Sequence, residues 1–144
     1  MQNENALHVK IVGENAVLPR RGSEQAAGLD LFAPQPVTIP AWSSALVDLG
    51  VHIAIPPGHY GRIASRSSLA LAGIEAGAGT IDSDYRGPIK VLLRNHSPNE
   101  VVLQQGDRCA QLIISPIWTS STVVRVEELD DTARGHGGFG STGK

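Results

Sequence analysis

Apolar residues along this chain come in short runs or alternate with polar ones, and no long stretch carries a clean helical period. The segments that read as strands are His8–Val12, Leu29–Ala33, Val37–Ile39, Ala45–Leu49, His52–Ile55, Gly61–Ala64, Ile89–Arg94, Val101–Leu103, Ala110–Ser115 and Thr122–Val126. Turn formers separate them: Pro34-Gln35-Pro36, Pro56-Pro57-Gly58, Ser97-Pro98-Asn99 and Gln105-Gly106-Asp107. Only Ser67–Ala72 has room for a turn or two of helix. Strands at this spacing, without helices between them, predict an all-β barrel or jelly roll. The chain shows no internal repeat and no low-complexity segment.

The pattern breaks near the C-terminus. Glu127–Asp131 reads EELDD, in plain terms a solvated turn. Arg134-Gly-His-Gly-Gly-Phe-Gly-Ser-Thr-Gly-Lys144 follows, too rich in glycine to bury apolar surface of its own. The expected division is a β core over 1–133 and a glycine-rich arm over 134–144, mobile until something binds it.

Length and charge narrow the picture. A chain of 144 residues makes one domain. Its 16 Gly and 9 Pro are spread along the chain and so mark frequent turns, not one linker. The net charge of −2 argues against a general nucleic-acid binder. Nothing approaches the roughly 18 apolar residues of a membrane span. The start, MQNENALHV, lacks the features of a secretory signal, and no Arg precedes position 20, which argues against a mitochondrial transit peptide. The one cysteine, Cys109, fits a reducing compartment. The expected location is cytoplasmic or nuclear.

Five segments could carry chemistry. Ala26–Phe32 sets Asp30 in an apolar strand, where a buried acid needs a partner or a metal. Gly61–Ala70 sets Arg66 between Ser65 and the pair Ser67 and Ser68. Serines there suit the start of a short helix, either as plain caps or as a cradle that leaves amides facing an anion. Gly77–Gly87 is the densest. Gly77 and Gly79 allow close approach to the backbone. Asp82 and Asp84, if the strand is extended, share one face with Ser83 opposite. The plain alternative is a polar turn. Gly106–Ile113 sets Gln111 among apolar neighbours, where a satisfied core glutamine is the default. The arm contains Gly138-Phe-Gly-Ser-Thr-Gly143-Lys144, most of a phosphate-binding P-loop, but with Lys144 last no helix is expected to follow it. Its exposed amides, its hydroxyls and Arg134 still suit phosphate. Phe139 on such a tail suggests stacking. His8, His52, His59, His96 and His136 show no ligand spacing, so a zinc site is not expected.

In this order, AAGLDLFA, GRIASRSSLA, GAGTIDSDYRG, GDRCAQLI and RGHGGFGSTG closely resemble the five motifs of the trimeric deoxyuridine triphosphatases (dUTPases), spanning residues 26 to 143. The departures are Ser65 for a usual proline, Ser68 for a frequent glycine, Cys109 for an aliphatic residue and Leu29 for a frequent tyrosine.

The resemblance implies a homotrimer of jelly-roll-like subunits, each site shared by three chains, that hydrolyses dUTP to dUMP and pyrophosphate. Such an enzyme would keep dUTP low and supply dUMP for thymidylate synthesis. Asp82 resembles the residue that orients and deprotonates the attacking water. Arg66, Ser67 and Gln111 resemble contacts to the α- and β-phosphates, and Ser68 beside them is expected to bind substrate. Arg134, Ser141 and Thr142 resemble the γ-phosphate clamp and Phe139 the lid over uracil, and Gly140 between them is expected to bind substrate. The loop from Gly77 to Asp82, with Gly77, Ala78, Gly79, Thr80 and Ile81 at the substrate, would read uracil through the backbone. The reversed donor and acceptor of cytosine would then be left unpaired. Tyr85 would pack where a 2′-hydroxyl would sit. Mg²⁺ would be held mainly by the phosphates and water, with Asp30 reaching it through water or bracing the loop. No nucleic-acid or membrane partner is expected. Two rival readings share the architecture: a dCTP deaminase, and a non-catalytic dUTP-binding trimer that regulates partners.

Overall fold

In the computed structural model, which describes residues 5–120, 122–140 and 143, the chain is built of antiparallel strands and one short helix. In chain order they are β1 (His8–Ile11), β2 (Leu29–Phe32), β3 (Val37–Ile39), β4 (Ser44–Ala54), β5 (His59–Ala64), α1 (Ser67–Leu71), β6 (Ile74–Gly77), β7 (Thr80–Ile81), β8 (Pro88–Asn95), β9 (Val101–Leu103) and β10 (Arg108–Pro116). One sheet runs β1-β4-β8-β6, a second β2-β10-β5-β7, and β3 pairs with β9 alone. The all-β expectation holds, and the fold is that of a β sandwich whose neighbouring strands are often distant in sequence.

Alternation builds the core. Ile89, Val91, Leu93 and Asn95 of β8 point inward, and Val47, Leu49, Val51 and Ile53 of β4 lie beside them. Leu31, Ile63 and Leu112 close the cluster from the second sheet. Burying each such aliphatic side chain contributes about 1.5–3 kcal/mol. The one polar residue in this core, Asn95, has all its groups matched. Its Nδ2 donates to the carbonyls of Ile39 at 3.1 Å and Asn99 at 2.7 Å, and its Oδ1 accepts from Ser97 N–H and Oγ–H. That network ties β8 to β3 and to the following turn.

Where the sequence suggested two strands, Ala45–Leu49 and His52–Ile55, there is one. β4 continues through Gly50, whose φ of +70° is open to glycine at little cost. The β4–β8 register shifts between Asp48 and His52, and Asp48 Oδ1 accepts the Gly50 N–H at 2.9 Å. A turn former has become a bulge. Thr122–Val126, expected as a strand, pairs with no strand among the described residues, and Val123, Val124 and Val126 stand exposed. Alternation supplies a face, but a strand also needs a neighbour. The strands β6 and β7 were not foreseen. Glu75, Ala76 and Gly77 are poor strand formers, and they are held by pairing with Leu92–Arg94 of β8.

Cys109 is buried and donates weakly to the Leu31 carbonyl. Burial pushes its thiol up from an ordinary 9.0 to about 12. The unfolded chain therefore gives up this proton first. The thiol's contribution to stability is whole below pH 9 and is lost as pH rises toward about 12. In urea unfolding at about pH 8 and about pH 10.5, wild type is expected to lose more stability than Cys109→Val. An equal loss in both would show that the thiol has no such role.

Candidate active site

The segment from β6 to β8 forms one wall of a cavity of about 260 Å³. Ala78, Thr80, Ile81, Asp82 and Tyr85 line it, together with Leu46, Ile63, Pro88, Ile89 and Lys90. The floor is apolar, and Asp82 is an exposed carboxylate on the rim. Gly77 ends β6 opposite Leu92. The residue in the left-handed region here is Ala78, at φ +56°, and neither flanking glycine shares it. Strain of that kind persists only where the surroundings enforce it. Gly79 is needed for contact: its carbonyl accepts the Ile63 N–H at 2.8 Å, and a side chain on it would overlap the Ile63 carbonyl.

After Ile81 the chain turns. The Tyr85 N–H donates to the Asp82 carbonyl at 3.1 Å, so Asp82–Tyr85 is a β-turn and not an extended strand. The expectation that Asp82 and Asp84 share a strand face therefore fails. Aspartate is favoured at the first position of such a turn. The Tyr85 hydroxyl donates to the Pro88 carbonyl at 3.0 Å, which folds the ring back against the loop.

Arg66, Ser67 and Ser68 lie elsewhere. Arg66 caps α1 with an extended backbone, and no side chain caps the helix, so the plain capping role for the serines is not observed. The Arg66 Nη1 donates to the Arg108 carbonyl at 3.3 Å. Arg66 lines a second cavity of about 460 Å³ with Arg20, Phe32, Leu69, Leu103, Gly106, Asp107 and Arg108. The Arg20 guanidinium lies 4.9 Å above the Phe32 ring and that of Arg108 6.0 Å from it. Asp30 does have a partner: Arg108 Nε lies 3.1 Å from its Oδ2. Gln111 is satisfied too, donating from Nε2 to the Ser65 carbonyl at 3.0 Å. The Ser65 hydroxyl accepts the Ala76 N–H at 2.9 Å and joins this loop to β6. Arg20 and Arg108 were not singled out in the sequence. The signal for Arg20 is its place ten residues before Asp30, with which it forms an isolated bridge.

Among the described residues of the arm, none lines either cavity. Arg134 Nε turns back to the Gly137 carbonyl at 2.8 Å. Phe139, at φ +52°, is fully exposed, and Gly140 follows at φ +83°. Ser141 and Thr142 lie outside the described residues. One chain thus presents three separate pieces: a carboxylate at an apolar cavity, a cationic cavity, and an arm with an arginine and a bare aromatic ring. Among the described residues no group of three or more His, Cys, Asp or Glu could hold a metal ion, and no helix is long and apolar enough to cross a membrane.

Residues 14–143 match the dUTPase family. Curated relatives named deoxyuridine 5'-triphosphate nucleotidohydrolase include one from Debaryomyces hansenii, 50% identical over 98% of this chain and 89% of its own length. Another, from Oryza sativa subsp. japonica, is 54% identical over 95% of this chain and 80% of its own. Among solved structures, the Staphylococcus bacteriophage 80alpha dUTPase with dUPNHPP superposes with a TM-score of 0.89 at 28% identity, covering 97% of this chain and 99% of that one. A mutant dUTPase from phage phi11 of S. aureus, described with a structural Mg(II) ion, gives 0.79 at 27% identity, covering 86% and 98%.

Proposed function

The chain belongs to the dUTPase family and hydrolyses dUTP to dUMP and pyrophosphate, and we propose that Asp82 takes the proton of the attacking water. The observation that carries the proposal is Asp82 on the rim of a cavity walled by Ala78, Thr80, Ile81 and Tyr85. A carboxylate there can orient a water in line with the α-phosphorus and accept its proton. Uracil enters the apolar cavity and meets fixed backbone groups of Gly77–Ile81. Cytosine would leave those groups unpaired, which costs about 1–3 kcal/mol for each. The Tyr85 ring, tied down through its hydroxyl, takes the space beside C2′.

The phosphates are read as held by Arg66, Ser67, Ser68 and Gln111. Arg134, Gly140, Ser141 and Thr142 close on the γ-phosphate, and Phe139 stacks on the base. Guanidinium groups suit phosphate because their planar fork donates two parallel bonds. The three pieces lie apart within one chain, which favours sites completed by two further copies in a homotrimer. The exposed Val123, Val124 and Val126 are apolar surface that such copies would cover.

The donor set fits Mg²⁺ held mainly by substrate. Magnesium sheds water reluctantly and commonly takes one or two carboxylates plus phosphate oxygens. Asp30, already paired with Arg108, suits contact through water better than direct ligation. When bound, Mg²⁺ neutralises charge on the polyphosphate. A single free cysteine suits work in the cytoplasm or nucleus.

Turnover with dUTP, UTP and the four common deoxynucleoside triphosphates tests the reading. Pyrophosphate release is expected with dUTP and at most weakly with dCTP or UTP. Deamination of dCTP, or tight dUTP binding without release, would overturn it.

A further inference from the structure

We propose that Arg86 and His52 are positioning residues for the reaction, together holding from behind the exposed turn that carries Asp82 and Tyr85. The inference rests on the reading of Asp82 as base and Tyr85 as the residue beside C2′. Asp82, Asp84, Tyr85 and Arg86 are all exposed and only Ser83 is half-buried, so packing does little to fix this turn. Hydrogen bonds from side chains reinforce the backbone bond that closes it. Arg86 Nη1 donates to the Ser83 carbonyl at 2.6 Å and to the Tyr85 carbonyl at 3.0 Å. Among the described residues its charge meets these carbonyls and enters no ion pair.

The turn is anchored in turn to the longest strand. His52 Nδ1 lies 2.7 Å from the Arg86 carbonyl, and a carbonyl only accepts, so Nδ1 carries the proton. His52 sits in β4 opposite Pro88, just beyond the register shift at Gly50. That bulge aims the imidazole at the loop. The Tyr85 hydroxyl closes the circuit on the Pro88 carbonyl, and Gly87 makes room for it, since a side chain on Gly87 would overlap the phenol. Side chains thus hold the carbonyls of Ser83, Tyr85, Arg86 and Pro88. One brace fixes both the proton acceptor and the sugar-facing ring, so loosening it should spoil both at once.

The test uses full-length protein and three readouts: kcat, KM for dUTP, and the UTP/dUTP ratio of kcat/KM. A misplacement of about 1 Å can cost on the order of 10²-fold in rate. Arg86→Met is therefore expected to lower kcat by about 10- to 100-fold, with a smaller change in KM and a raised UTP/dUTP ratio. Arg86→Lys, which keeps a cationic donor, should recover part of both losses. His52→Leu should show a weaker form of the same pattern, and His52→Gln, which keeps a donor, should retain most activity. A folded Arg86→Met with wild-type kcat overturns the proposal, as does one whose kcat falls while the sugar ratio stays put. If Arg86→Met does not fold, equal kinetics in His52→Leu and His52→Gln overturn it. Asp82→Asn is assayed alongside. Normal turnover in that variant means the reading of Asp82 has failed, whatever the brace does.

Discussion

Asp82→Asn is expected to bind dUTP and to turn it over about 10²- to 10⁴-fold more slowly. The substitution keeps shape and size. Asp82 contributes its carbonyl to the turn, through the Tyr85 N–H, and asparagine keeps that bond. Asparagine is also a favoured residue at the first position of a β-turn. What is lost is the capacity to accept a proton from water. Binding measured by calorimetry and turnover measured by pyrophosphate release should therefore separate. Turnover at the wild-type rate would remove Asp82 from the mechanism.

Mixing two inactive proteins is expected to restore about a quarter of the sites. One is Asp82→Asn with an intact arm, and the other ends at Thr132 with Asp82 intact. The physical motive is the separation of pieces: Arg134 bonds within its own arm, and Phe139 is bare. If each site takes Asp82 from one subunit and the arm from another, refolding at equal amounts gives mixed trimers about three-quarters of the time. Cyclic symmetry then leaves about one good site of three in each. Each parent alone should stay inactive. No rescue, with subunit exchange shown by mass, would place the arm at its own subunit's site.

The β class and most strands were legible because alternation and turn residues report directly on which face is buried. His8–Ile11, Leu29–Phe32, Val37–Ile39 and Val101–Leu103 fall within or at the expected bounds. What the sequence hid was relational. Gly50 reads as a break until its amide is seen bonded to Asp48, and Thr122–Val126 reads as a strand until no neighbour is found for it among the described residues. The site shows the same division. Asp82, Tyr85 and the loop before them were legible as a motif, and the structure gathers them at one cavity. The turn after Ile81, the left-handed Ala78 and the pairing of Asp30 with Arg108 depend on contacts between distant segments, which no local pattern encodes.

The seclusion of Cys109 leaves the exterior of the chain free of thiols. A maleimide dye added to wild type should find nothing to modify, because the reactive species is the thiolate and burial holds this group protonated. A cysteine put in place of His136, an exposed residue of the arm, would then be the sole point of labelling. Its fluorescence would report in real time whether the arm closes over added nucleotide, with no background from the core.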